Sequence, residues 1–281
     1  MADTPSVSSN VPAVEHRRLR PYTGSSWLSG FGNMFNKEMR DWFQTRRWIV
    51  QIILWVALFN GFLAFILFAV PEISRSEGNT GPTENPMILG LSFFFNFAVI
   101  AGSIGTLILA QDEIVGEKQT GTAAWILSKP IARASFILSK LAANGLGILI
   151  FIILIPGLIG IVEISAAAGR LVDIPAYLLA MGVAYLGLLF YLTFSLMLGT
   201  LFQGRGAVIG IGLGLLFGGS IIVNFIPDIA YALPVAFQNI APAVAQGQTL
   251  PEQAVIEIAA TAAWCVVFMV IALWRFERQE L

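Results

Sequence analysis

Residues 87–110 read MILGLSFFFNFAVIAGSIGTLILA, residues 111–140 read QDEIVGEKQTGTAAWILSKPIARASFILSK, and residues 141–162 read LAANGLGILIFIILIPGLIGIV. The two outer runs carry no charged residue, and each is long enough as a helix to cross a hydrocarbon core of about 30 Å. The segment between them carries Asp, Glu, Lys and Arg. A chain that alternates in this way enters and leaves a membrane, so residues 111–140 are expected in water on one side of it.

Working outward, the same rule gives six expected spans, near 49–70, 87–110, 141–162, 175–202, 206–226 and 254–274. The fourth is longer than a bilayer requires and is expected to tilt or to emerge by a turn. Over all 281 residues the chain is 57% hydrophobic and 12% charged, with a mean hydropathy of +0.78. That composition excludes a soluble domain and predicts an all-α, polytopic membrane protein whose six-helix domain covers 49–274.

The formal net charge of -1 says little, because orientation follows the distribution of Lys and Arg. Of sixteen such residues, only Arg75 and Arg170 fall on one side of the expected spans. The others lie in the amino-terminal part, in 111–140, beside the fifth span and in the tail 275–281. This predicts that both termini and 111–140 are cytosolic, in a multi-pass protein of the plasma membrane, with Trp48, Trp55 and Trp274 as aromatic anchors near the inner boundary.

Residues 1–30 are polar and contain Pro5, Pro12 and Pro21, as expected of a flexible cytosolic tail. No signal peptide is read there, since the pair Arg17 and Arg18 is not followed by an apolar region. Residues 31–48 differ. Phe31, Met34, Phe35, Met39 and Trp42 share a face at helical spacing, with Lys37, Arg40, Asp41 and Arg47 elsewhere, so an amphipathic helix in the membrane interface is expected.

Two further features concern packing. Gly206, Gly210, Gly214 and Gly218 repeat every fourth residue in the fifth span, a stripe that another helix can approach closely, from this subunit or from a second copy. The external connection 227–253 has no Lys or Arg and is rich in apolar residues, among them Ile229, Leu233, Phe237, Ile240 and Val244. It reads either as short helices dipping back into the membrane or as a cap on the outer surface, with Pro234 and Pro242 as breaks.

Chemistry finds little to use. Gly116 to Thr122 imitates the opening of a phosphate-binding loop, but Thr122 stands where the phosphate lysine belongs, and Glu113 and Glu117 add negative charge. The only histidine, His16, lies in the tail, and the single Cys265 lies in an apolar run, so neither a histidine base nor a cysteine cluster is expected. No cofactor, metal or nucleic-acid partner is expected, and the chain is not read as an enzyme. Ionisable groups are placed at the rims of the spans, with Asp112 and Glu113 inside and Glu163 and Asp228 outside, which disfavours ion coupling. Asn60, Asn96 and Asn144, with several hydroxyls, are either interhelical hydrogen-bonding groups or the lining of a substrate path. With no nucleotide site, redox centre or buried ion pair expected, the driving force must come from outside the chain.

The pattern Gly116-Glu117-x-x-x-Gly121-Thr122, an apolar step, Pro130, Arg133, Phe136 to Leu138 and Lys140 resembles the ABC type 2 permeases, membrane subunits of transporters driven by an ATP-binding cassette ATPase. The likeness extends to the helix before the first span, the six spans, the cytosolic connection and the apolar external connection. It implies that 111–140 contributes a coupling helix, that Glu113, Glu117, Lys118, Gly121, Thr122, Pro130 and Arg133 touch or position the ATPase contact, and that two permease copies or homologues pair with two ATPase subunits. Independently, Glu117 and Lys118 are expected as exposed charges that set register with a partner. Pro130 is expected to end one helix, and Arg133 to begin the next with its guanidinium free for a carboxylate or lipid phosphate. The plainer reading makes Lys129, Arg133 and Lys140 positive-inside anchors only. The expected function is the permease half of an exporter for an amphipathic or apolar substrate, or a polymer passing through, rather than a small ion; the alternative is a non-transporting anchor or maturation subunit.

Overall fold

A computed structural model describes residues 26–78, 85–129, 131–226, 233–250 and 252–279. Most of the tail 1–30, Pro130, Asp228, Ile229, the start of the external connection and the side chains of Asn224 and Val235 lie outside the described residues. Those described are helical and carry no strand. Six helices are long and apolar enough to cross a membrane.

The order is α1 (Phe31–Gln44), α2 (Arg47–Ser76), α3 (Pro86–Ala110), α4 (Val115–Gln119), α5 (Thr122–Leu127), α6 (Arg133–Ala168), α7 (Ile174–Leu201), α8 (Arg205–Phe225), α9 (Phe237–Ala245) and α10 (Glu252–Glu277). The starts of α3 and α7 show why they form there. The Asn85 side chain accepts from the Met87 amide at 3.0 Å, the Asp173 side chain accepts from the Ala176 amide at 3.4 Å, and Pro86 and Pro175 occupy first-turn positions where a missing N–H costs nothing. Helices α2 and α6 cross as continuous helices with π-helical stretches at Val56–Asn60, Phe65–Ala69 and Leu149–Leu154.

α7 is the hub, with 72% of its apolar window buried against α3, α9 and α10, whereas α8 has only 17% buried. α1 lies along the first half of α6. Its inward stripe is Met34, Glu38 and Trp42, and Trp42 stacks on Phe151 with centroids 5.3 Å apart over Gly147, where a Cβ would come within 2.6 Å of the indole. The expected apolar face therefore holds an acid, Glu38, which periodicity alone had left on no particular face. Gly30, at φ 82, permits the sharp entry into α1, and the Ser29 carbonyl accepts from the Ala132 amide at 3.0 Å.

The described part of the external connection settles into the bundle. Phe237 packs on Gly187, about 20 Å along α7 from Ile174, and the Gln246 amide donates to the Ser92 hydroxyl at 2.9 Å. Of the two forms left open by the sequence, α9 takes the one that turns back between the spans. Its Phe237, Ile240, Ala241 and Val244 are buried against α3 and α7.

Candidate functional site: a buried charge cluster at the basic end

Lys140, eight residues into α6, has a side chain 1% exposed. Its ammonium meets Glu38 Oε1 of α1 at 3.1 Å, Glu117 Oε1 of α4 at 3.0 Å and Glu113 Oε2, between α3 and α4, at 3.5 Å. Lys37 closes the other side of two of these carboxylates, at 2.7 Å from Glu117 and 3.1 Å from Glu38, and Arg47 at the start of α2 lies 3.8 Å from Glu113. Three cations and three carboxylates thus balance across five chain segments. A lone ammonium buried this deeply would carry a desolvation cost of several kcal/mol, and the surrounding carboxylates offset it.

Lys37 lies outside the spans and shows the local field. Burial is the largest single influence and lowers its pKa, but the hydrogen bond to Glu117 and the charge of Glu38 outweigh it, and the net direction is upward. A cleft of about 290 Å³ opens onto the cluster beside Asp41, Trp42 and Thr120. Among the described residues no group of His, Cys, Asp and Glu is arranged to hold a metal, and here the carboxylates close on ammonium groups.

This arrangement corrects three expectations. A buried ion cluster exists where none was expected. Glu117 is held within it, and Lys118 is not a free surface charge: its Nζ donates to the Gly199 and Phe202 carbonyls, both at 3.1 Å, at the end of α7. Arg133 is not free either, since its NH1 donates to the carbonyls of Phe276, Glu277 and Gln279 at 3.1, 2.8 and 2.7 Å. Both cations satisfy carbonyls that a helix end leaves open. Lys140 does more than mark the inner side, and Lys129 sits 3.6 Å from the Trp125 ring centroid.

What remains outward at this end is a short platform. Gly121 adopts φ 70 with no atom near a would-be Cβ, and the turn leads into α5, which buries Ala123 and Ile126 and leaves Trp125 63% exposed. Thr122 shares a 2.9 Å hydroxyl contact with Thr120. Glu113 and Glu117 therefore brace the platform from beneath, and Gly121 and Thr122 shape its edge.

The other candidate residues separate. A Cβ on Gly206, Gly210, Gly214 or Gly218 would meet nothing within 4 Å, so that stripe has no partner within the described chain; Gly212, off the stripe, is the one pressed against Leu107. Asn96 donates to its own helix at the Ser92 carbonyl, 2.8 Å, and Asn144 to the Lys140 carbonyl, 3.0 Å. Asn60 donates to the Pro156 carbonyl at 3.0 Å and to Glu163 at 3.1 Å, so Glu163, placed at the rim by sequence, reaches a residue about 20 Å along α2. Only Asn60 bonds between helices, as the interhelical reading expects; Asn96 and Asn144 bond back to their own helices, and these bonds withdraw support from a lining role. Sequence reasoning missed Glu38 and Lys140 as partners. The one available signal was an acid spaced i+4 from Met34 and i−4 from Trp42 on an apolar stripe.

Fold and site together define a six-span, all-helical integral membrane protein whose interfacial helix is locked by ion pairs to the segment between its second and third spans. Residues 48–281 match the family described as a protein of unknown function, DUF2705, and the chain belongs to that family. It is also similar to the uncharacterized transmembrane protein YxlG of Bacillus subtilis (strain 168), at 24% identity over 233 residues, covering 76% of this chain and 84% of the relative.

Proposed function

We propose that this chain is the permease subunit of an ATP-driven exporter of the ABC type 2 class, seated in the plasma membrane with its basic end in the cytoplasm. A separate cassette ATPase hydrolyses ATP, and the chain itself is no enzyme. One observation carries the reading: the platform at Gly121 to Trp125 presents an exposed indole while its base, Glu113 and Glu117, is ion-paired to α1 and α6. A load applied to that platform reaches the interfacial helix and the third span together, which is what coupling to an external engine requires. A second permease copy or homologue and the surrounding lipids complete the assembly.

The test is co-purification of the detergent-solubilised chain with a co-expressed cassette ATPase, for wild type, Gly121→Trp and Trp125→Asp. Retention by wild type and loss in both variants, with membrane insertion intact, is the expected result; no retention by wild type would refute the reading. A non-transporting anchor or maturation subunit is favoured by a different observation, the commitment of Asn60, Asn96 and Asn144 to bonds inside the bundle. Substrate movement across reconstituted vesicles during ATP consumption separates the two.

A further inference from the structure

Between α3, α7, α8 and the turn Pro234–Ala236 lies a cavity of about 90 Å³, lined by Ser103, Tyr191, Ser220 and Gln238 among apolar groups and, among the described residues, by no charged side chain. That is room for about three waters or a small polar group. Ser103 is fully buried and its Oγ has no hydrogen-bond partner among the described residues. Among the described residues, neither the Tyr191 hydroxyl nor the Gln238 amide makes a hydrogen bond. One turn further toward the basic end, Thr106 of α3 and Ser195 of α7 are likewise fully buried and unpartnered.

A hydroxyl inside a membrane helix ordinarily donates to a carbonyl three or four residues back, as Thr193 does to Leu189 at 2.9 Å and Thr200 to Met197 at 2.7 Å. Among the described residues five buried hydroxyls do not, and three of them, Ser103, Thr106 and Ser195, lie on the two helices that flank this cavity; the others are Ser135 of α6 and Thr261 of α10. An unmet polar group surrounded by hydrocarbon is costly, so the cavity is provisioned for a molecule that brings its own donors and acceptors. Phe217 of α8 forms part of the wall and is 54% exposed, so the cavity borders the lipid-facing side of α8. Pro234 and Gln238, from the returning external connection, also line the cavity.

We propose that this cavity binds the uncharged, hydroxyl- or carbonyl-bearing head of an amphiphile, held by Ser103, Tyr191 and Gln238, with its apolar part along the exposed face of α8. Hydroxyls and an amide offer both donors and acceptors, which suits an alcohol, ester or amide. With no cation in the wall, a carboxylate or phosphate head has nothing to neutralise it. Binding does not depend on coupling to ATP; only the step that makes this amphiphile the transported substrate rests on the function proposed above.

The experiment uses the full chain in phosphatidylcholine nanodiscs with a monoacylglycerol carrying a photoreactive diazirine next to its head, adducts being mapped by mass spectrometry. Adducts on the peptides holding Ser103, Tyr191 or Gln238, displaced by monoolein and not by oleate, are expected. Ser103→Ala should lower their yield about three- to tenfold, the loss of one hydrogen bond, while raising the unfolding temperature of the ligand-free protein. Ser103→Leu should fill the cavity and abolish labelling; if it fails to fold, Tyr191→Phe takes its place with a loss like that of Ser103→Ala. A structural hydroxyl would give the opposite stability sign. Labelling spread over other lipid-facing helices, equal displacement by oleate, or unchanged yield in Ser103→Ala would overturn the proposal. Failure of the ATPase co-purification would leave these readouts as they are.

Discussion

The charged groups of the basic end and three hydroxyls in the middle of the bundle are treated in opposite ways. At the basic end, Lys140, Lys37 and Arg47 close on Glu38, Glu113 and Glu117, and Lys118 and Arg133 close on helix-end carbonyls. In the middle, Ser103, Thr106 and Ser195 are fully buried and their hydroxyls close on nothing among the described residues. The difference follows from magnitude. An uncompensated buried charge costs several kcal/mol, so the charges at the basic end pair, whereas an unmet hydroxyl costs about 1–3 kcal/mol and can be carried until a ligand meets it. One region is built to hold its shape, the other to receive something.

The sharpest way to break that contrast is Lys140→Met. Leaving three carboxylates around an apolar side chain should cost about 3–5 kcal/mol, read as a fall in thermal unfolding temperature in detergent, and adding Glu38→Gln and Glu117→Gln should recover part of it. A negligible fall would mean that the cluster is wet and does not lock α1. Glycine substitutions give the next largest effect. Gly147→Leu drives a side chain into Trp42 and should cost about 1–3 kcal/mol with α1 more open to protease, while Gly210→Leu, with open space at its Cβ, should leave the unfolding temperature unchanged. A change in oligomer size in Gly210→Leu would assign the stripe to a second copy.

A smaller loss, about 1 kcal/mol, is expected for Arg133→Ala, which strands the carbonyls of Phe276, Glu277 and Gln279; Arg133→Lys should retain part of the effect. Hydrogen exchange at the end of α10 would report it. The smallest effect is in pH. Because Lys37 is raised above its usual 10.5, its pairing contributes stability fully present below pH 10.5 and lost as pH climbs past that value through the folded pKa. Unfolding temperatures measured from about pH 9 to about pH 12 should bend downward above 10.5, and Lys37→Gln should remove part of the bend. With the Lys37 side chain 38% exposed, solvent keeps this contribution minor.

Much of the architecture was readable along the chain because a bilayer solvates each span separately. Twenty apolar residues announce a crossing whatever their neighbours are, so the six spans, the helix at 31–48 and the polar segment 111–140 follow from composition and period. The helix of the third span, however, begins at Arg133, well inside the expected polar segment, and that of the first runs on to Ser76. Pairing between distant residues carries no such local mark. Glu38 and Lys140 are 102 positions apart, and nothing in either neighbourhood says which acid meets which base. The glycine stripe shows the same limit: its spacing is evident, yet the glycine in contact within the chain is Gly212, because the face that α8 turns to α3 is set by packing of the whole bundle. Solvent preference acts residue by residue and is written in the sequence; charge closure, cavity shape and the choice of helix face depend on several segments arriving together, and only the assembled bundle brings them there.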